Sequence, residues 1–105
     1  MEKKNYNGFV SEKQYDDVRN AIMKSSFNFN YYESIDIKYD GLDYVTVNAD
    51  GLEFDIDFTD ETITNITCDF PMGMYEIELI NDVYKNVDKI YEAGRACFEE
   101  EEVNA

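Results

Sequence analysis

The dipeptide Asp50-Gly51 constrains this chain most. It lies inside the stretch DGLDYVTVNADGLEFDIDF, which runs from Asp40 to Phe58. Asp-Gly between two alternating runs marks a two-residue type I′ hairpin turn, because both central positions need positive φ. Folding about that turn sets Ala49 opposite Leu52, Val47 opposite Phe54 and Val45 opposite Ile56. Side chains alternate along a strand, so all of these share one face. Tyr44, Thr46 and Asn48 then share the other face with Glu53, Asp55 and Asp57. One side of the ribbon is apolar and the other is acidic.

The rest of the chain is read outward from that ribbon. Residues 1–9 read as a loose arm. Ser11 with Gln14 reads as a capping box, with Val10 stapled onto Tyr15. Tyr15, Val18 and Ile22 give the i, i+3, i+7 stripe of a half-buried helix that ends near Ser25 and Ser26. From Phe27 the period changes to two. Phe27, Phe29, Tyr31, Ile35, Ile37 and Tyr39 all fall on odd positions, which predicts one long strand bent around Tyr32 to Ser34. Asp40-Gly41 marks a second hairpin. A loop one residue longer than the two-residue form pairs Ile37 with Val45 and Ile35 with Val47.

Thr59 to Thr62 is a further turn. Ile66, Cys68 and Phe70 alternate as a fourth strand, and Ile63, out of phase with them, predicts a bulge. Pro71 to Gly73 breaks the sheet. A final helix is expected from about Tyr75 to Phe98, with Ile80, Val83, Val87, Ile90 and Cys97 as its stripe and Gly94 interrupting it. Residues 99–105 form an acidic tail that sits badly at a helix C-terminus and should fray. The expectation is a single α+β domain over residues 1–105. It has a four-stranded antiparallel sheet with N- and C-terminal helices packed on one face and the other face open.

Charge narrows the function classes. The chain has 24 acidic and 9 basic residues, no His, and a formal net charge of −15. Seven Phe and nine Tyr supply a core, so the charge does not imply disorder. Direct binding of nucleic acid is excluded as an expectation, because phosphates need basic residues. A basic partner fits instead, since a large field of one sign speeds encounter with the other. The excess is local: from Asp36 to Asp82 there are thirteen acidic residues and one basic residue, Lys38. Glu53, Asp55 and Asp57 project about 6.6 Å apart along one strand face, a spacing of the order of that between neighbouring phosphates. With Asp36, Asp43, Asp50 and Tyr44 they make the candidate partner-binding set; tyrosine among carboxylates suits an interface. The plainer reading is a solvated face whose charges discourage edge pairing. Against it stands the repulsion between like charges that such a face carries.

No catalytic motif appears, and neither an enzyme nor a cofactor is expected. Cys68 and Cys97 lie in no C-x-x-C pair and read as small core residues. Thr46, Asn48, Asp50 and Gly51 approach a calcium loop, but Thr46 stands where an acidic first ligand is needed and Asp57 where the closing Glu is needed. Any two of so many carboxylates can be paired on paper, and a chain this size leaves little room for a sugar cleft. Neither a signal peptide nor a membrane-length apolar run is seen, so the expected location is the cytoplasm of a bacterial host.

The string VNADGLEFDI resembles the central hairpin of an acidic phage anti-CRISPR protein. The order of helix, compact antiparallel sheet and C-terminal helix in a short acidic chain is similar to that family as well. The resemblance implies an inhibitor that presents carboxylates to the basic residues with which an RNA-guided DNA nuclease reads the short motif beside its target. It carries over onto Asp50, Glu53, Asp55 and Asp57. The functional expectation is therefore a DNA mimic, monomer or homodimer, acting on an RNA-guided or restriction nuclease. Two alternatives stand beside it: an immunity protein that neutralises a basic nuclease toxin, and a non-catalytic module that assembles through its last helix. Salt separates them, because charge-driven binding weakens steeply with ionic strength and helix packing does not.

Overall fold

A computed structural model describes residues 6–99 of the chain. The Asp50-Gly51 turn forms as expected, with φ of 52° and 104° at its two positions. It joins β2 (Tyr44–Ala49) to β3 (Leu52–Asp57), with Val45 opposite Ile56, Val47 opposite Phe54 and Ala49 opposite Leu52. All of these are buried. β1 (Ile35–Tyr39) and β4 (Thr62–Cys68) complete a four-stranded antiparallel meander in the order β1-β2-β3-β4.

The expected β1–β2 register is corrected, and the expected β4 bulge is present. Ile37 pairs with Val47 and Ile35 with Ala49, two residues further along than the expected pairing. The four residues from Asp40 to Asp43 form the loop. The Asp40 carboxylate holds it by accepting from the N–H groups of Leu42 (2.7 Å) and Tyr44 (3.0 Å). The parity of the strand is kept, so the same side chains still face the core. In β4 the expected bulge is present: the register shifts between Glu53 and Asp55, and Asn65 takes a φ of 55°.

Helix α1 (Glu12–Lys24) starts at Ser11, whose hydroxyl accepts from the Gln14 N–H at 3.2 Å. The Gln14 side chain returns to the N–H of Val10, not to that of Ser11. Val10 is exposed, and the packing expected of it falls to Phe9, whose ring meets Tyr15 edge-on at 5.8 Å.

The long bent strand expected from Phe27 is a correction. Residues Phe27–Tyr31 form a 3₁₀ helix, and only Ile35–Tyr39 is strand. The alternation of Phe with Asn satisfied a strand template, but Ser26 caps the segment by accepting from Asn28 N–H at 3.2 Å. Asn28 is only 8% exposed, beside the fully buried Phe29. Its amide donates to the Tyr75 carbonyl (3.0 Å) and the Glu78 carboxylate (3.3 Å). A buried polar side chain with tertiary partners overrides the alternating pattern.

The single C-terminal helix is also corrected, to α2 (Met74–Lys85), α3 (Val87–Ala93) and α4 (Arg95–Phe98). The breaks fall at Asn86 and Gly94. A Cβ on buried Gly94 would lie 2.8 Å from Val18 of α1, so this glycine lets α1 approach the chain closely. Leu79, Val83, Val87, Ile90 and Cys97 are buried, with Leu79 replacing the expected Ile80 at the start of the stripe. The helices cover the face of the sheet that carries Ile37, Val45, Val47, Phe54 and Ile56, and together these make one core.

The loose arm expected over residues 1–9 is corrected where it is described. Phe9 is 4% exposed, and Asn7 lies along β1. Residues 1–5 and 100–105, which hold the start of the arm and most of the acidic tail, lie outside the described residues. Glu99, the tail's first residue, accepts from the Tyr91 hydroxyl at 2.7 Å.

Candidate functional site

Away from the helices, the sheet presents a polar face whose geometry follows from the registers. Asp36, Asn48, Glu53 and Thr67 form one cross-strand row; Lys38, Thr46, Asp55 and Thr64 form the next. Asp36 and Glu53 are separated by the width of β2, so they lie about 9–10 Å apart across the face. A shallow depression of about 530 Å³ runs between them, lined by Asn7, Asp36, Lys38, Thr46, Asn48 and Glu53 among others.

The face does not hold its carboxylates equally. Glu53 is exposed, and among the described residues it accepts from the Asn48 amide alone, at 3.3 Å. Asp36 is exposed and accepts from the Tyr15 hydroxyl. Asp55 is half-buried, with one oxygen taken by the Thr46 hydroxyl (2.6 Å) and the other by the Asn65 amide (2.8 Å). The bulge therefore has a local use: it carries the Asn65 amide to Asp55.

Asp57 departs from its expected place in an open row of three. It is 4% exposed, and its Oδ1 accepts from the N–H groups of Thr59 (2.9 Å) and Asp60 (3.0 Å). An Asp that bonds the backbone two and three residues on closes a turn, and the turn after β3 supplied that signal in the sequence. Asp50 is likewise committed. Its carboxylate accepts from Glu33 N–H (2.7 Å) and Ser34 N–H (3.1 Å), tying the hairpin tip to the entry of β1. Asp43 and Tyr44 stand at the far end of the sheet, both exposed. The Asp57 charge is the largest influence raising the Tyr44 phenol above its ordinary range, and Asp60 and Asp43 push the same way. The structure thus brings Asp36, Glu53 and Asp55 onto one face, sets Asp43 and Tyr44 at its end, and gives Asp50 and Asp57 to turns.

Lys38 is the one cation in these two rows, and no ion pair among the described residues reaches the carboxylates. Among the described residues the ion pairs are Lys13–Asp17 (2.7 Å), Arg95–Glu92 (2.8 Å) and Arg95–Glu99 (3.7 Å), all local to helices. No Lys or Arg occurs between Lys38 and Lys85. The described residues contain no cluster of three or more carboxylate or thiol groups placed to hold a metal. No helix among them is long and apolar enough to cross a membrane. A second concavity, about 630 Å³, lies at the sheet end beside Asp43. The rings of Phe58, Tyr91 and Phe98 line it, with centroids 4.6–5.7 Å apart.

The residues that sequence reasoning missed are those that organise the face from outside it. Asn7 was read as part of a loose arm, Tyr15 as part of the buried stripe of α1, and Arg19 was not singled out, yet all three reach β1. No family model, curated protein or solved structure matches this chain.

Proposed function

We propose that this chain is an acidic inhibitor that sets its open sheet face into the nucleic-acid-binding groove of a basic protein, as a DNA mimic. An RNA-guided or restriction nuclease, met in the cytoplasm of a bacterial host, is the partner class that fits. The observation carrying this reading is the acidic excess of the open face: Asp36, Glu53 and Asp55 share it with one cation, Lys38, and no ion pair among the described residues reaches them. Carboxylates left without an ion-pair partner in the free protein gain charge-assisted bonds on meeting Arg or Lys, each contributing on the order of 1.5–3 kcal/mol.

The test is the combined change Asp36→Asn, Asp43→Asn, Glu53→Gln in a pull-down and inhibition assay against such nucleases. These positions are exposed, and the amides keep the carbonyl oxygen that Tyr15 and Asn48 use. Affinity should fall at least about a hundredfold, as expected from losing more than one charge-assisted pair, and the salt dependence should flatten. Unchanged affinity and salt slope in a folded variant would reduce the face to a solvated surface.

A further inference from the structure

Four of the exposed apolar side chains stand together. Ile66 of β4 and Met74, Ile77 and Tyr84 of α2 are all exposed, Met74 at 83% and Ile77 at 59%. With Ile63 and Ile80 they line a groove of about 740 Å³ between β4 and α2. Ile63 and Ile66 are of opposite parity, and both reach this groove because the bulge at Asn65 intervenes. The groove runs beside the terminal strand of the sheet. Among the described residues, nothing outside β3 hydrogen-bonds to the β4 backbone. The strand reads TITNITC and carries no charge to repel a newcomer.

We propose that this groove receives an extended segment of a partner protein, which joins β4 as an added strand. Alternate apolar side chains of the segment fill the groove, and Lys or Arg residues flank them. The backbone chooses the first property: a row of unpaired N–H and C=O groups is complemented by another extended backbone. The lining chooses the second, since an added strand turns every other side chain toward the Ile66–Ile77 side. Charge chooses the third. Glu78 lines the groove and Glu61 immediately precedes Thr62 of its lining, in a stretch with no cation between Lys38 and Lys85. A second copy of the chain would instead bring one charge of −15 against another. The proposal rests on the inhibitor reading only for the sign of the partner's charge.

The probe is a synthetic peptide of alternating valine and threonine with lysine pairs at both ends, titrated into the isotope-labelled full chain. Amide shifts should map to β4 and α2, and β4 amides should exchange more slowly. Affinity should drop at least about tenfold in each of three controls: Ile77→Glu, alternate backbone N-methylation of the peptide, and glutamate in place of its lysines. The Asp36→Asn, Asp43→Asn, Glu53→Gln protein should bind the peptide as the parent does, so the two proposals fail separately. Shifts absent from β4, or equal binding of the N-methylated peptide, would overturn strand addition. Equal binding of the glutamate-flanked peptide would overturn the basic partner. A concentration-dependent dimer that Ile77→Glu dissolves would assign the groove to a second copy and overturn the proposal.

Discussion

The two edges of the sheet are finished in opposite ways. Along β1, the Asn7 carbonyl accepts from Tyr39 N–H at 2.8 Å, the Asn7 amide donates to the Ile37 carbonyl at 3.0 Å, and Arg19 Nε donates to the Ile35 carbonyl at 2.8 Å. Gly8 follows with a φ of 94°, so flush that a Cβ there would meet the Tyr39 carbonyl oxygen at 1.9 Å. Along β4 there is a bulge but no such cover among the described residues. Unpaired edges template association, and proteins block them with charges, loops or short strands. A chain that blocks one edge with Asn7, Gly8 and Arg19, while the other is uncharged, next to an apolar groove and without cover among the described residues, has two edges with different uses.

The largest effect should fall on both edges alike. Phe54 sits at the centre of the core with no exposure. Phe54→Ala should cost about 3–5 kcal/mol, read by chemical denaturation, with β1 and β4 amides losing exchange protection together. A loss confined to one edge would show that the sheet is not one cooperative unit. Next is Phe9→Ala, which removes a ring packed at 5.3 Å from Tyr39 and 5.8 Å from Tyr15. It should cost about 3 kcal/mol and selectively speed exchange at Tyr39, because the arm is released while β4 is untouched. Asn7→Ala deletes the amide's bonds to the Ile37 carbonyl and the Asp36 carboxylate and should cost about 1–2 kcal/mol. It should also raise the tendency of β1 to self-associate, measurable by light scattering on warming.

The smallest effect concerns α2, the helix beside β4. The Gly73 N–H, at 2.7 Å, is the first cause holding the Glu76 carboxyl below its usual range, and the Tyr32 hydroxyl at 2.8 Å adds to it. A depressed folded value contributes stability above the unfolded value of about 4.3. That contribution is lost as pH falls through the folded value. Glu76→Gln should therefore lower stability slightly at neutral pH and converge with the parent at acid pH, which flattens the acid limb of the profile below about pH 4.3. An unaltered acid limb would remove Glu76 from the account.

These contrasts separate what the residues announced from what only packing decides. The β2–β3 hairpin was legible because its turn demands positive φ and its alternation allows one register. The bulge was legible from Ile63 standing out of phase. The 3₁₀ helix over Phe27–Tyr31 was not, since its alternating pattern is equally a strand's, and the deciding contacts come from Tyr75 and Glu78, far along the chain. On the candidate site, alternation placed Glu53 and Asp55 correctly. It could not foresee that Asp57 would turn back onto Thr59 and Asp60, because turn closure and strand alternation compete for the same residue. The cover on β1 was invisible for a similar reason. A short polar arm reads as solvent-loving until Phe9 finds its slot.

The meander has a consequence in time as well as in space. Each strand pairs with its neighbour in sequence, so the sheet closes only short loops, which costs little entropy and favours rapid zipping. The contact of α1 with α3, by contrast, joins the two ends of the chain and must wait for all that lies between. On the ribosome the sheet can therefore form before its lid exists, with its apolar face briefly uncovered, and α1, made first, is seated among the last. Refolding rates should accordingly slow on truncating Val47 or Phe54 and barely move on truncating Phe9, whose loss would appear in the unfolding rate.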